Sequence, residues 1–331
     1  MSLYIPTIQR EYLVPAMLDN KAWASMLASG VIDPDLLAVT VEGGDYVNIP
    51  TINRAVDFTH QTLAQTAAVD FASVDSTNDK AVVLSDISAN QFYKSQLRQV
   101  DPELGVKLSQ TIGMRLAKRL SRQLFAGADA AIQAMSNTVH TQSQTTALTL
   151  DTVRKAKLRM ADYADEITTA VVHSKVWSDL IYDLYTNYKV AGIADIAVIK
   201  GALAAILGIE DWIISDLVPV GPGATSSAGD DLYTSFLFGQ KSLAVSFQQD
   251  PETEFSTSMA SPDGGPGITN QDTIIYVKTT VKYLTHVKGL KWNSSANPDD
   301  TTFATTANWA AAYQDHRDVK AVRVVTCGGV H

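Results

Sequence analysis

The chain has 331 residues, of which 46 % are apolar and 18 % charged, a share that supports a buried core and excludes global disorder. The formal net charge is −9, with 26 basic against 35 acidic residues, which excludes a protein that grips nucleic acid by its overall charge. The greasiest stretch, 190–214, contains Asp195, Lys200, Glu210 and Asp211. A membrane-spanning helix needs about 20 nearly uncharged residues, so no membrane association is expected. Residues 1–6 carry no basic n-region, and Arg10 and Glu11 interrupt the first apolar residues, so no signal peptide is expected. The single cysteine, Cys327, allows no internal disulfide and no cysteine-based zinc site, which fits assembly in a reducing cytoplasm.

In chain order, residues 1–40 mix short apolar patches with Pro6, Pro15 and Pro34. They read as an extended arm with one short helix around 20–28, an arm that needs another surface to lie on. Residues 41–90 read as a long hairpin. Gly43-Gly44-Asp45 signals a turn, and Tyr46–Ile52 alternates with period 2 as a strand does. Pro50 restricts that strand to an edge. A return strand is expected at 81–84, and large apolar residues are sparse from 57 to 79. Such a hairpin buries too little to be stable alone. It is either a surface insertion or an arm that lies on a neighbouring subunit.

The strongest helix pattern spans 101–127, with Asp101 as N-cap, Pro102 at the first helical position and Gly127 as the expected stop. Leu104, Leu108, Ile112, Leu116, Leu120 and Leu124 recur every four residues. At 100° per residue that stripe winds about 200° around the helix, so it covers a different surface near each end. The polar face is basic (Lys107, Arg115, Lys118, Arg119 and Arg122), with no acid from 104 to 128. It is either a solvated face or a contact for phosphates or an acidic neighbour.

Beyond it, the pattern predicts a helix over 150–164, a buried strand over 168–172 and a helix from 173 to 183. The alternation of elements continues with runs at 196–207, 212–215 and 218–219, then strand-like runs at 235–247, 273–280, 281–288 and 319–326. Polar or glycine-rich stretches at 137–146, 221–231, 260–272 and 293–302 read as loops. The fold class is α+β.

The motifs of enzyme chemistry are missing. There is no G-x-G-x-x-G after a strand, no Walker loop, no G-x-S-x-G and no H-E-x-x-H. The six histidines show no pair at metal-ligand spacing, so no metal and no cofactor is expected. His173, between a strand and a helix, is the one position suited to a hydrolase. The acidic pairs Asp33/Asp35 and Asp299/Asp300 read as caps or turns. A body without chemistry, joined to an arm and a hairpin that bury little of their own, points to an assembly subunit.

The order of these parts resembles the major capsid proteins of tailed double-stranded DNA bacteriophages, with the Hong Kong 97-type fold. Tyr12-Leu13-Val14-Pro15 through Leu27 resembles the family's N-terminal arm. Gly44-Asp45-Tyr46-Val47-Asn48-Ile49-Pro50-Thr51-Ile52 is similar to the G-D-x-V-x-I-P-x-[IL] strand that opens the hairpin called the E-loop. Residues 86–91 and 101–127 resemble the lead-in and spine helix of the peripheral domain. Leu150–Met160, with Ala170-Val171-Val172-His173, resembles the passage into the axial domain, and 209–219 resembles its interior. Residues 247–259 and 274–292 resemble the long peripheral strands, and 301–309 and 319–326 the return to the axial domain.

The resemblance implies a division into an arm (1–40), the E-loop hairpin (41–90), a peripheral domain with the spine helix (91–165), an axial domain (166–240), peripheral strands (241–298) and a return to the axial domain (299–331). It implies a non-enzymatic coat protein that forms pentamers and hexamers in an icosahedral head shell around double-stranded DNA, assembled in the host cytoplasm. The implied partners are further copies of itself, a separate scaffolding protein (or a removed extension), a portal and a cement protein. Tyr46, Val47, Ile49, Arg54, Asp57 and Phe58 are then the candidate inter-subunit contacts. Lys107, Arg115, Lys118, Arg119 and Arg122 become the candidate genome-facing face, in weak non-specific contact with packaged DNA. Some family members crosslink an E-loop lysine to a neighbour's asparagine. Lys80, the only lysine from 41 to 90, lies near the hairpin base, so no crosslink is expected. An encapsulin-like nanocompartment shell, which shares the fold, and a hydrolase built on His173 are the alternatives.

Overall fold

The structure, a computed structural model, describes residues 18–33, 45–52, 76–93, 104–141, 147–187, 196–221, 231–247, 252–259, 273–313 and 315–327. In chain order the elements are α1 (Lys21–Ala28), β1 (Tyr46–Ile52), β2 (Ser76–Tyr93), α2 (Leu104–Gln133), β3 (Val139–Thr141), α3 (Leu150–Lys157), β4 (Ile167–Val172), α4 (Ser174–Asn187) and α5 (Ile196–Leu207). They continue with β5 (Asp211–Ile214), β6 (Val220–Gly221), β7 (Leu232–Gly239), β8 (Leu243–Phe247), β9 (Glu252–Met259), β10 (Thr273–Val287), β11 (Leu290–Trp292), α6 (Asp300–Phe303), β12 (Trp309–Ala311) and β13 (Ala321–Cys327).

Two larger sheets organise the chain. The first is antiparallel, in the order β1-β2-β10, with β10's far edge shared between β8 at one end and β9 at the other. The second runs β3-β13-β7-β4-β5, with β6 beside β7; the β13–β3 and β4–β5 pairs are parallel. This second sheet is buried on both faces. Val171, Ile213, Phe236, Phe238 and Ala321 point into the cluster around α2. Their neighbours Ala170, Val172, Trp212, Leu237 and Val322 point into a second cluster built with α3, α4 and α5. Burial on both faces explains why these strands read as apolar runs rather than as alternation.

Helix α2 spans 30 residues, about 45 Å at 1.5 Å per residue, and it joins the two sheets. Ile112, Leu116, Leu120 and Leu124 of the apolar stripe are all buried. Arg119 reaches β2 of the first sheet, while Phe125 stacks on Phe236 of β7 in the second, ring centroids 6.0 Å apart. The winding stripe thus covers two surfaces.

Several expectations need correction. The helix does not stop at Gly127; it runs on to Gln133. Gly127 is there for space, because a Cβ at this position would lie 2.5 Å from the Phe303 ring. Alanine ordinarily gains about 1 kcal/mol over glycine within a helix. Here Gly127→Ala is expected to destabilise by about 1–3 kcal/mol by overpacking, which urea unfolding measures. The arm is not without its own support. Asn20 caps α1 by accepting from Ala22 N and Trp23 N, and Trp23, Met26, Val31 and Ile32 are buried in the α2 cluster. Its remaining parts, 1–17 and 34–40, lie outside the described residues.

The hairpin is likewise sewn into its own chain. β2 runs from Ser76 to Tyr93, far beyond 81–84, and pairs with β10 from Ile274 to Leu284. Backbone pairing overrides the poor strand propensity of Asp86, Ser88 and Asn90. Among the described residues β1 pairs with β2 alone, so Pro50 sits on an edge strand there. The run 235–247 is two strands in different sheets, β7 and β8, joined by a turn with Lys241 at φ 56°. The helix expected over 150–164 ends at Lys157 and continues as 3₁₀ turns to Glu166, interrupted where Ala161 takes φ 46°. The loop expected at 137–146 contains β3, which pairs with β13.

Candidate assembly and genome-facing surfaces

The basic face comes to one side of α2 because Arg115, Lys118 and Arg122 are spaced by three and four residues. All three side chains are exposed, as is Lys107. Arg119 differs. Its guanidinium donates from Nε to Asp86 Oδ2 at 2.9 Å and from Nη1 to Asp300 Oδ2 at 2.6 Å. Gln123 Nε2 donates to Asp300 Oδ1 at 2.7 Å, and the Tyr283 hydroxyl donates to Asp86 Oδ2 at 2.6 Å. Four elements (α2, β2, β10 and α6) meet at this cluster.

Its electrostatics follow from the contacts. The Arg119 hydrogen bond holds the Asp300 carboxyl below its ordinary value, against a smaller opposing effect of burial. The two carboxylates raise the Arg119 guanidinium further above its already high value. Burial, then the bond to Asp86, pushes the Tyr283 hydroxyl up, so it remains a donor. Lys107, Arg115, Lys118 and Arg122 are exposed, and Arg119 is bonded to the two carboxylates.

Of the hairpin candidates, Ile49 is buried in its own chain with Ala81, Ala244 and Leu284, and Val47 packs against that cluster. Tyr46 donates its hydroxyl to Ser294 O at 3.2 Å, and Lys80 Nζ sits 3.5 Å over the Tyr46 ring. Arg54, Asp57 and Phe58 lie outside the described residues. The hairpin base carries a second cluster that the sequence reading missed. Asp79, fully buried in β2, meets His286 Nε2 at 2.9 Å and accepts from Gly289 N at 2.6 Å. Gly289 takes φ +86°, and a Cβ there would lie 2.2 Å from the Tyr313 ring. Only the sparing use of His and Asp in strand sequence hinted at this pair, because its members come from distant segments.

His173 is occupied as a helix cap. Its Nδ1 accepts from Lys175 N at 3.1 Å, its Nε2 lies 3.6 Å from Asp216 Oδ1, and its ring rests 4.8 Å from that of Tyr233. Asp299 caps α6 by accepting from Thr302 N at 2.7 Å, the cap expected of that pair, which leaves Asp300 for Arg119. Among the described residues, no group of three or more His, Cys, Asp or Glu is placed to hold a metal ion. No helix among them is long and apolar enough to cross a membrane.

Comparison with known proteins assigns this architecture. No curated protein matches the chain in sequence. Among solved structures, that of Microbacterium phage Oxtober96 is similar at TM-score 0.54 and 10 % identity, over 88 % of this chain and 90 % of that one. The capsid of Ralstonia phage GP4 is similar at TM-score 0.53 and 9 % identity, over 89 % and 86 %. The cyanophage Pam1 capsid asymmetric unit is similar at TM-score 0.52 and 14 % identity, over 100 % and 95 %. These likenesses show the fold, the Hong Kong 97-like α+β capsid fold. The family model for Gp13-like major capsid proteins (major capsid protein 13-like) matches residues 51–322, most of the chain. Neither the nanocompartment nor the hydrolase reading is favoured. The chain belongs to the Gp13-like major capsid protein family, and it is a bacteriophage coat protein that forms the head shell.

Proposed function

We propose that the chain builds the shell as pentamers and hexamers on an icosahedral lattice around double-stranded DNA. The observation that carries this reading is the capsid-family match over 51–322. The role is structural, with a scaffolding protein supplied separately, a portal, a cement protein and assembly in the host cytoplasm. Apart from 18–33, which pack on their own chain, the arm and the hairpin reach neighbouring subunits, with Tyr46 and Val47 at the hairpin base and Arg54, Asp57 and Phe58 further along it. Native mass spectrometry of the purified chain should find five- and sixfold multiples of 35.7 kDa, or closed shells built from them. A chain that stays monomeric at every concentration contradicts the reading.

Lys107, Arg115, Lys118 and Arg122 of α2 face the genome in this proposal. They are exposed cations on a chain of net charge −9. The acidic balance elsewhere keeps DNA mobile, and a few cations give weak, salt-sensitive contact. Replacing Arg115, Lys118 and Arg122 by glutamine should leave folding intact and change the DNA content or assembly yield of particles. Unchanged particles and packaging would remove the proposal. The cation–π contact of Lys80 with Tyr46 supports a shell without lysine crosslinks. Boiled particles should then run as a single monomer band on a denaturing gel, and a ladder of multimers contradicts this.

A further inference from the structure

Helix α5 is apolar nearly all round, with the sequence Ile-Ala-Val-Ile-Lys-Gly-Ala-Leu-Ala-Ala-Ile-Leu. A helix of that kind normally lies buried on every side. Among the described residues one side is covered: Ile199, Leu203 and Leu207 sit in the second core cluster. Its single charge does not face outward on its own, because Lys200 Nζ donates to the Trp212 carbonyl at 2.7 Å. The opposite side is bare. Val198 is 50 % exposed and Ile206 56 %, and between them Gly201 and Ala205 are exposed and Ala202 half-buried. At 100° per residue these five positions fill an arc of about 140° without a polar side chain. Ile214 is a further exposed apolar side chain: it ends β5, the last strand of its sheet among the described residues, has the same parity as Trp212, which packs in the cluster with α5, and is 37 % exposed.

We infer that this face of α5, with Ile214, is a contact surface for a second copy of the chain within the capsomer. The inference rests on the capsomer reading above and names the surface that serves it. The chemistry of the patch selects the occupant. No cation lies on the arc, so it offers nothing to DNA phosphates. A helix that lies on a membrane needs a strongly polar, Lys- or Arg-rich opposite face, and the opposite face of α5 is buried core. What remains is another apolar protein surface. The small residues Gly201, Ala202 and Ala205 let a neighbouring backbone approach closely, while Val198 and Ile206 flank them as anchors. The established association of this protein is with copies of itself in a shell. A five- or sixfold ring requires a head-to-tail interface, so the patch meets a different surface of the next copy rather than its own image.

The test is the double variant Val198→Lys/Ile206→Lys, purified beside the unmodified chain. Both positions are solvent-exposed, so circular dichroism and urea unfolding of the dissociated chain should be unchanged. The assembled fraction, read by native mass spectrometry, should fall by about tenfold or more, the scale for charging a central apolar contact. Hydrogen exchange on the unmodified chain is the second readout: amides of 198–206 should gain protection on assembly. An unmodified chain that fails to assemble counts against the capsomer reading itself. An unmodified chain that assembles, with a variant that assembles equally well and no added protection at 198–206, overturns this inference alone. The same result follows if the chain's own residues 188–195, or another protein, cover the patch.

Discussion

Asp79→Ala is expected to cost about 3–5 kcal/mol of stability, the scale for breaking a buried charged or hydrogen-bonded pair. Asp79 and His286 are both fully buried, and the carboxylate accepts from the His286 ring and from Gly289 N. Removing it strands two polar groups in the interior, where each lacks water to replace the lost partner. The position cannot rearrange cheaply, since Gly289 holds a positive φ against the Tyr313 ring and His286 stacks on Trp309 with centroids 5.9 Å apart. Asp79→Asn should cost much less. Its amide oxygen can still accept from Gly289, and its NH₂ can donate to Nε2 of the other histidine tautomer. Urea unfolding of both variants decides the matter. If alanine and asparagine cost the same, the hydrogen bonds are not what the site contributes.

The second large effect is at Arg119. Arg119→Ala should lower stability by about 2–3 kcal/mol, because two charge-assisted contacts are lost and Asp86 and Asp300 are left facing each other. Arg119→Lys should recover only part, since an ammonium cannot fork between two carboxylates as a guanidinium does. Alanine at the exposed Arg115, Lys118 or Arg122 should stay within about 0.5 kcal/mol. This contrast separates the cluster from the basic face that surrounds it. The cluster also predicts a pH dependence. The folded-state pKa of Asp300 lies below its ordinary value of 3.8, so its contribution is fully present above that pH. The contribution is lost as the pH falls through the depressed value, where the folded carboxylate takes up its proton. Unfolding followed from pH 6 to pH 2 should show this acid loss in the unmodified chain and a shallower one in Arg119→Ala. Identical profiles would detach Asp300 from Arg119.

What could be read from the sequence follows the range of the forces involved. Local signals were sufficient for α1, expected around 20–28, and for β1 with its edge proline. They failed where a distant residue decides. Gly127 looks like a helix stop until Phe303 is placed against it. The polar half of β2 looks like loop until β10 supplies a partner along it. The run 235–247 gives no sign that the chain passes from one sheet to the other at Lys241. The basic face was legible as a stripe. Nothing in the spacing of Arg115, Arg119 and Arg122 marks the middle one as bound to Asp86 and Asp300, which arrive from far along the chain. The α5 patch is the reverse case: its apolarity is plain in sequence, but only the fold shows which side is left bare.

Electron microscopy of purified particles, reconstructed with icosahedral averaging, tests the central claim most directly. The account predicts closed shells whose lattice of fivefold and sixfold rings accepts this fold, with α5 and Ile214 at contacts within the rings. Well-folded protein that forms only monomers or small open oligomers, or shells whose density does not accommodate the two sheets joined by α2, would contradict it.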